Sequence, residues 1–553
     1  MRPIRVLAAA LLAFSPLACG PRDACSGERC GTLVFAAVGE PDNLLPPVTE
    51  NVLARDIHDQ IFLKLADIGP AMNTVGDSGF VPQLADRWSW DDSLTLVFHL
   101  DARARWQDGP PVTAQDVAFS FEAYRDSAVN SPFAQSLARI ASVSARDSHT
   151  VAVKFTERFP EMFYTAVYNM RILPRHLLAQ VPRGQWATAE FGHHPVGSGP
   201  YRFVSWTPTV SVELAADTAF FLGRPHIARL VWRIEPDHPT AVTRVLAGEA
   251  DALEVLVTPD NVQRAKAQPR LATYQYPGTN YGFLGFNQFA NGSHAPHPIF
   301  GDRDVRRALT MAVDREKLKQ SVFGDLARVP PGPIPAAWPL WDPRPRELAY
   351  DTAAASRLLT QQGWVDANHD GVREKAGRPL AFRIIVPATS GVRRQYGRLI
   401  QEQLRGIGAR IELDELEGPV FGQRAGTGHF DAVLGIWNVD PTPSTGIADL
   451  WTRAGIGGPN WVGYSSAPFE QLVARASASP SPGAARDLWK QALETFNDDA
   501  PAIMLFAADN VAAVDARVAD VTIRPDSYWA LVRNWRIPQD KLNARDRAAS
   551  ATP

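Results

Sequence analysis

One short segment of the chain has the local sequence that surrounds a catalytic serine. Residues 76–79 read GDSG, as in the nucleophile segment of chymotrypsin-like proteases, where the serine needs a histidine base and a buried acid. Phe80 stands where a glycine normally follows, and no TAAHC-like histidine segment precedes the motif. We therefore expect Ser78 to lie in a polar loop before a strand rather than to act as a nucleophile.

A second segment has oxygen-bearing side chains at the spacing of a calcium loop. In DANHDGVRE, Asp366, Asn368 and Asp370 alternate, and Gly371 permits a sharp turn. The twelfth position of such a loop needs a bidentate glutamate, and this chain has Gly377 there. We expect a hairpin tip turned by Asp370 and Gly371, and we predict no metal site.

Two further segments lack the partners that their chemistry would need. His193 and His194 are adjacent, but no HExxH or CxxC motif occurs in the chain. PVGSGPY contains two glycines, yet Pro200 follows where a phosphate-binding helix would need a free backbone N–H, so this segment predicts a turn. Since no catalytic set is visible, we predict a binding protein rather than an enzyme, with no cofactor.

A tryptophan, an asparagine and an aspartate follow a predicted buried strand. Trp437, Asn438 and Asp440 end the run FDAVLGIW and lead into NVDPTPST. Ligand sites of α/β proteins form at such strand ends. The stretch alone also fits a solvated loop capped by Asp440, and both interpretations stay open at this point.

Hydrophobic periodicity predicts the elements that position these residues. GTLVFAAV and LTLVFHL are typical of strands, and residues 52–65 are typical of a helix. Thr113 and Asp116 predict a capping box at the start of another helix. A strand, helix, strand unit, as in a parallel sheet, is predicted further along the chain. Its strands are LAFRIIVPA and ARIELDEL, and the helix between them carries Tyr396, Ile400 and Leu404. The pattern predicts an α/β protein of at least two lobes.

Length and charge restrict the function further. The chain has 553 residues, enough for two large lobes, and its net charge of -3 disfavours a nucleic-acid partner. No stretch beyond the N-terminus approaches about eighteen consecutive apolar residues, so we expect nothing there to cross a membrane.

The first nineteen residues have the layout of a bacterial export signal. Arg2 and Arg5 precede a short apolar run that ends at Cys19. This layout predicts a cleaved leader over residues 1–18 and a lipid anchor on Cys19, although Pro16 stands where lipoproteins usually carry leucine. Cleavage without lipidation is the alternative. Cys25 and Cys30 then form either a small disulfide loop or two free thiols.

Several segments together resemble the extracellular solute-binding proteins of ABC importers, in the peptide-binding family 5. In chain order they are FVPQLADRWSWDDSLTLVFHL, RWQDGPPVTAQDVAFSFEAY, PVGSGPYRF, VRRALTMAVDREKL, GWVDANHDGVRE and WNVDPTPS. The resemblance extends from about Gly31 to Ile537. It implies a two-lobed periplasmic-binding-protein fold of type II, with an extra subdomain in the first lobe and two hinge crossings.

The resemblance also implies boundaries. A flexible tether would cover 19–30 and the first lobe 31–287, with its subdomain at about 51–195. Residues 501–540 would complete this lobe, the second lobe would cover 288–500, and 541–553 would be a disordered tail. The two crossings would lie near NYGFLGFN and PAIMLFAA.

Site residues follow from the resemblance residue by residue. Family members that bind peptides pair the ligand α-amino group with the aspartate of a W-x-x-D segment, which Trp437 and Asp440 match. The segment TENVLARD is similar to a loop that offers main-chain hydrogen bonds, with Glu50 and Asn51 facing the cleft. Further expected neighbours are Asn438 and Tyr281.

The resemblance implies a monomer in the periplasm or at the cell surface that takes up a peptide and delivers it to a membrane permease. Alternatives are the same fold with a nickel chelate, haem or an oligosaccharide, an exported hydrolase, and a sensor or chaperone without a transport partner.

Overall fold

The computed structural model describes residues 30–290, 292–338, 344–440, 442, 444–479 and 482–548. Its strands in chain order are β1 (Thr32–Val38), β2 (Ala66–Asp67), β3 (Val81–Pro82), β4 (Ala85–Asp92), β5 (Thr95–Leu100), β6 (Ile140–Ala145), β7 (Thr150–Phe155), β8 (Tyr201–Thr207), β9 (Ser211–Ala216), β10 (Arg229–Glu235), β11 (Ala252–Leu253), β12 (Leu271–Pro277), β13 (Asn280–Phe286), β14 (Ala327–Arg328), β15 (Glu374–Lys375), β16 (Arg378–Pro379), β17 (Ala381–Pro387), β18 (Arg410–Leu416), β19 (Ala432–Asn438) and β20 (Ala502–Asp515).

Helices connect these strands. In chain order they are α1 (Val52–Ile61), α2 (Ala114–Arg125), α3 (Met162–Val167), α4 (Arg175–Leu178), α5 (His238–Ala247), α6 (Pro259–Lys266), α7 (Arg303–Met311), α8 (Arg315–Phe323), α9 (Thr352–Gln361), α10 (Gly391–Arg405), α11 (Gly418–Gly426), α12 (Ala467–Ser477), α13 (Pro482–Asp499) and α14 (Ala544–Ala548). None of the helices in the described residues has both the length and the apolar character needed to cross a membrane.

The predicted α/β class is confirmed, and a single mixed sheet runs through both lobes. Its order is β18-β17-β19-β13-β20-β11-β1-β10-β9-β8, with β12 and β14 also paired to β20. The predicted strand, helix, strand unit is present as β17, α10 and β18, and the two strands are parallel. Tyr396, Ile400 and Leu404 of α10 are buried in the second-lobe core, as their spacing requires.

The long strand β20 joins the two lobes. Its first half pairs with β13, where Leu284 lies opposite Ile503, and its second half pairs with β12, where Thr273 lies opposite Ala513. The chain therefore crosses between the lobes at residues 277–280 and again in the middle of β20. The expected boundaries at 287 and 501 are wrong by several residues, because β13 pairs with β19 and belongs to the second lobe.

An additional subdomain packs beside the first lobe. Its antiparallel sheet has the order β4-β5-β7-β6, and its core includes Phe98, Tyr124, Phe163 and Trp186. The predicted capping box of α2 is present, since the Thr113 N–H donates to Asp116 Oδ2 at 2.8 Å. Helix α1 belongs to the first-lobe core instead, so the subdomain begins near Leu63 rather than at residue 51.

Both ends of the described chain are more ordered than expected. Cys30 is buried. Asp546 of α14 has no exposed side-chain surface, accepts a hydrogen bond from the Thr32 N–H at 2.9 Å and pairs with Arg517 at 3.3 Å. The prediction of a disordered tail is thus wrong for residues 541–548, because buried Arg517 holds the aspartate there. Residues 549–553 lie outside the described residues.

Candidate ligand-binding cleft

A cavity of about 330 Å³ lies between the two lobes, beside the first crossing. Residues from five parts of the chain line it: Val52, Arg55, Asp56 and Asp59 of α1; Tyr168 of the subdomain; Thr279 at the first crossing; residues 438–440 of the second lobe; and residues 525–528 of the C-terminal segment. Charged and hydroxyl-bearing side chains dominate this lining. Such a surface suits a polar, charged ligand.

Helix α1 presents one polar face to this cavity. Val52, Arg55, Asp56 and Asp59 have the i, i+3, i+4, i+7 spacing of one helical face. Leu53, Ile57 and Ile61 lie on the other side of the helix, buried in the first-lobe core. The sequence predicted the helix but not this role, although the spacing of its charged residues was a usable signal.

The two ends of α1 are fixed by residues that the sequence singled out. Asn51 caps the N-terminus: its Oδ1 accepts from the Ala54 N–H at 3.0 Å, and its Nδ2 donates to the Glu40 carbonyl at 2.9 Å. At the C-terminus, a Cβ on Gly197 would lie 1.8 Å from the Ile61 carbonyl oxygen. The predicted turn PVGSGPY therefore needs glycine for close approach to the end of α1.

At the cavity wall, Asp59 of α1 belongs to a buried ion network. Its carboxylate pairs with Arg171 at 2.6 Å and with Lys64 at 3.7 Å, and it accepts from Ser527 Oγ at 2.7 Å. Burial alone would raise the pKa of Asp59, but Arg171 and Lys64 hold it far below its ordinary value. Asp59 is therefore an anion with all its charge compensated.

The same network continues to the C-terminal segment. Arg524 pairs with Asp67 at 2.6 Å and with Asp526 at 2.8 Å, while Lys64 pairs with Asp67 at 3.2 Å. These side chains are all nine-tenths or more buried. The network ties the subdomain, α1 and residues 524–527 into one rigid wall of the cleft.

Asp56 has no comparable partners. Only 7% of this residue is exposed, and no described side chain forms a hydrogen bond or ion pair with it. Burial first, and then the charges of Glu254 and Asp59, raise the pKa of Asp56 well above its ordinary value.

Asp440 lies on the opposite wall, two residues after β19. The Val439 N–H donates to the Thr279 carbonyl at 3.1 Å, which places Asp440 at the first crossing. Its side chain is open to the solvent in the cleft, but the surrounding walls limit its hydration. This desolvation raises the pKa of Asp440, against the opposing effect of Arg55. Within the described residues no cation lies within ion-pair distance of Asp440.

Arg55 faces Asp440 across the cavity. Burial lowers the pKa of Arg55, but Tyr168 and Asp440, followed by Asp59 and Asp56, raise it above the ordinary arginine value. Among the described residues its guanidinium has no ion-pair partner within 4 Å. The charge of Arg55 is therefore balanced by carboxylates more than 4 Å away, including Asp440.

The cavity continues in two directions. Asn438 also lines a neighbouring cavity of about 280 Å³, and Asp440 also lines one of about 630 Å³ between the subdomain and the second lobe. Phe159 connects the latter to a further cavity of about 590 Å³. The cleft is therefore an extended groove with Asn438 and Asp440 at its junctions.

The other predicted site residues lie elsewhere. Tyr281 is fully buried in the second-lobe core, where its hydroxyl accepts from Trp451 Nε1 at 2.9 Å, so it offers no surface to a ligand in this conformation. Trp437 is half-buried against Trp461, with ring centroids 4.3 Å apart. Glu50 is exposed just before α1. Neither Trp437 nor Glu50 lines the cavities described above.

The segments considered for other chemistry form turns. Among the described residues, no histidine hydrogen-bonds to Ser78, and no group of three His, Cys, Asp or Glu side chains is arranged for a metal ion. Asp366 accepts from the Asp370 and Gly371 N–H groups at 3.1 Å, so the calcium-like segment is the loop of a hairpin closed by the Val365–Glu374 pair.

The predicted leader and the two cysteines that follow it precede the first described residue. Pro16, Cys19 and Cys25 lie outside the described residues. Cleavage, lipidation and the pairing of Cys25 with Cys30 stay predictions.

The sequence is similar to a known family of binding proteins over most of its length. The family model described as "Bacterial extracellular solute-binding proteins, family 5 Middle" matches residues 79–458. Oligopeptide-binding protein AppA of Bacillus subtilis is 23% identical over 516 residues, which cover 92% of each chain.

Solved structures give the same result for the fold. The structure of Bacillus subtilis AppA in complex with a nonapeptide aligns with a TM-score of 0.73 at 22% identity, covering 93% of this chain and 100% of AppA. Campylobacter jejuni NikZ in complex with Ni(L-His) aligns at 0.72 with 22% identity, covering 91% and 99%. These likenesses establish a two-lobed binding-protein fold.

Proposed function

Because the chain belongs to the bacterial extracellular solute-binding proteins of family 5, we propose that it captures peptides between its lobes and delivers them to the permease of an ABC importer. The observation that carries this proposal is Asp440, a carboxylate without an ion-pair partner among the described residues, at the junction of two cavities. A peptide α-ammonium would supply the missing positive charge.

The groove suits an extended ligand. With the amino group at Asp440, a peptide backbone extends into the cavity of about 630 Å³ between the subdomain and the second lobe. The loop that contains Glu50 and Asn51 is proposed to add main-chain hydrogen bonds, which tolerate many side chains. Since the Asn51 side chain is used to cap α1, it is the main chain of this loop that would act.

Closure of the lobes gives the signal that a permease could recognise. Thr442 Oγ1 of the second lobe donates to Glu161 Oε1 of the subdomain at 3.1 Å, so the two walls already touch in this conformation. A ligand that contacts Arg55 and Asp440 together would favour the closed state over the open one.

The remaining parts of the proposal concern location. We propose that the protein acts as a monomer outside the inner membrane, without catalysis and without a cofactor. A lipid on Cys19 would raise its effective concentration near the permease through a short link that ends before buried Cys30.

The test uses a pool of di- to pentapeptides and Asp440→Ala. Truncating one partner of a desolvated charge pair costs about 2 kcal/mol or more, which corresponds to a loss of at least about 30-fold in affinity. Calorimetry measures the loss. Asp487→Ala, an exposed aspartate of α13 in the same lobe, is the matched control and should bind normally. Unchanged binding by Asp440→Ala would reject the peptide assignment in favour of a ligand without an amine.

A further inference from the structure

Asp56 is an unpaired carboxylate that the amine site at Asp440 does not explain. It is more than nine-tenths buried and lines the cavity of about 330 Å³. Its oxygens have no hydrogen-bond partner among the described residues. They are nevertheless not sealed from solvent. The carboxylate therefore reaches the cavity surface.

Two of the three nearby cations are paired with another carboxylate. Arg171 and Lys64 pair with Asp59. Arg55 also lowers the pKa of Asp56, but burial, Glu254 and Asp59 together raise it by more, and Tyr168 and Asp440 act on the charge of Arg55 more strongly than Asp56 does.

A second carboxylate adds to this negative charge instead of balancing it. Glu254, which directly follows β11, is half-buried, and its charge acts on Asp56. In the described part of the chain, the Glu254 carboxylate has no ion-pair partner within 4 Å. Burial raises its pKa to about 7. The two carboxylates come from separate elements, and burial with the charges of Glu254 and Asp59 outweighs the opposing effect of Arg55 and Arg171 on the pKa of Asp56.

Aromatic rings border the same region. Tyr528 lines the cavity and lies 6.0 Å from Tyr276, centroid to centroid. Tyr276 Oη donates to the main-chain carbonyl of Glu254 at 2.8 Å, which holds this ring next to residue 254. Both phenols interact electrostatically with Asp56 and Glu254. Tyrosine faces beside carboxylates favour an organic cation.

We propose that Asp56, Glu254 and Tyr528 form a subsite for a cationic side chain of the bound peptide, a lysine ammonium or an arginine guanidinium, separate from the amine site at Asp440. This inference rests on the proposed function and adds a specificity to it. A ligand cation removes the repulsion between the two carboxylates, whereas an uncharged side chain of the same length leaves that repulsion in place.

The test compares tripeptides that differ only in one charge. Lys-Ala-Ala, Ala-Lys-Ala and Ala-Ala-Lys are each titrated against the twin in which norleucine replaces lysine. We expect the wild type to prefer lysine over norleucine by at least about tenfold at one of the three positions, as for a desolvated charge pair. Asp56→Asn should abolish this preference, and Glu254→Gln should reduce it.

Proton release provides a second readout that a merely structural role would not produce. At pH 7, binding of the preferred lysine peptide should expel protons from Asp56 and Glu254, because a nearby cation stabilises the ionised carboxylates. Titrations in buffers of different ionisation enthalpy measure the number released. The norleucine twin should release fewer protons, and Asp56→Asn should remove most of the difference.

Folding is controlled within the same experiment. Measurable binding of the norleucine peptides by Asp56→Asn shows that this variant is folded, and Asp487→Asn should retain the full lysine preference. Equal binding of every lysine peptide and its twin, or a preference that survives Asp56→Asn, would overturn the subsite alone. Absence of binding by all six peptides would overturn the proposed function and the subsite with it.

Discussion

The ion network around Asp59 and the cleft surface around Asp56 contain the same residue types in opposite electrostatic states. Asp59 and Asp56 lie three residues apart on one helix and are both buried. Arg171 and Lys64 lower the pKa of Asp59, whereas burial and like charges raise that of Asp56. The difference indicates that paired carboxylates build the wall, while unpaired ones, Asp56 and Asp440, are available to a ligand.

Removing Asp59 should have the largest effect on stability. Asp59→Ala leaves Arg171 with a buried, uncompensated charge, so we expect the free energy of unfolding to fall by about 3–5 kcal/mol. Urea denaturation of the wild type and of each variant measures the loss of unfolding free energy. Asp56→Ala is the matched control from the same helix and should cost far less, because its charge is already unfavourable. Equal losses for both would contradict the comparison.

Local pattern was sufficient for some of these elements and insufficient for others. The strand, helix, strand unit around Tyr396 and the strand end at Asp440 were predictable because hydrophobic spacing encodes them directly. The roles of Arg55 and Asp56 were not, since pairing depends on Arg171 and Asp440, more than a hundred residues away. The burial of Tyr281 and the ordering of Asp546 likewise depend on distant partners, Trp451 and Arg517.

Lys64 should matter less than Asp59 because each of its partners retains an arginine. Lys64→Met keeps the length of the side chain and leaves Asp59 with Arg171 and Asp67 with Arg524. We expect a loss of about 1.5–3 kcal/mol in unfolding free energy, the value of a hydrogen bond to a charged group. A loss as large as that of Asp59→Ala would show that the arginines do not compensate these carboxylates.

The smallest expected effect is a dependence of stability on pH due to Glu254. Its folded-state pKa of about 7 lies above the ordinary value of 4.5, so the folded protein holds a proton that the unfolded chain releases. Stability from this group is therefore present below pH 4.5 and is lost as the pH rises to about 7.

Glu254→Gln isolates this contribution. Relative to the variant, the wild type should lose an additional amount of order 1 kcal/mol of unfolding free energy between pH 5 and pH 7.5, allowing for the partial exposure of Glu254. Asp56 has the same sign and remains in both proteins. Parallel pH profiles for wild type and variant would show that Glu254 is compensated in the folded state.

The most direct test of the account concerns the free amino group of the ligand. A tripeptide and its N-acetylated twin are titrated into the wild type and into Asp440→Asn by calorimetry. Acetylation should weaken binding to the wild type by at least about 30-fold, as expected for a desolvated charge pair, and should make little difference to Asp440→Asn. If the wild type binds both peptides equally well, Asp440 is not the amine site and the proposed mode of capture is wrong.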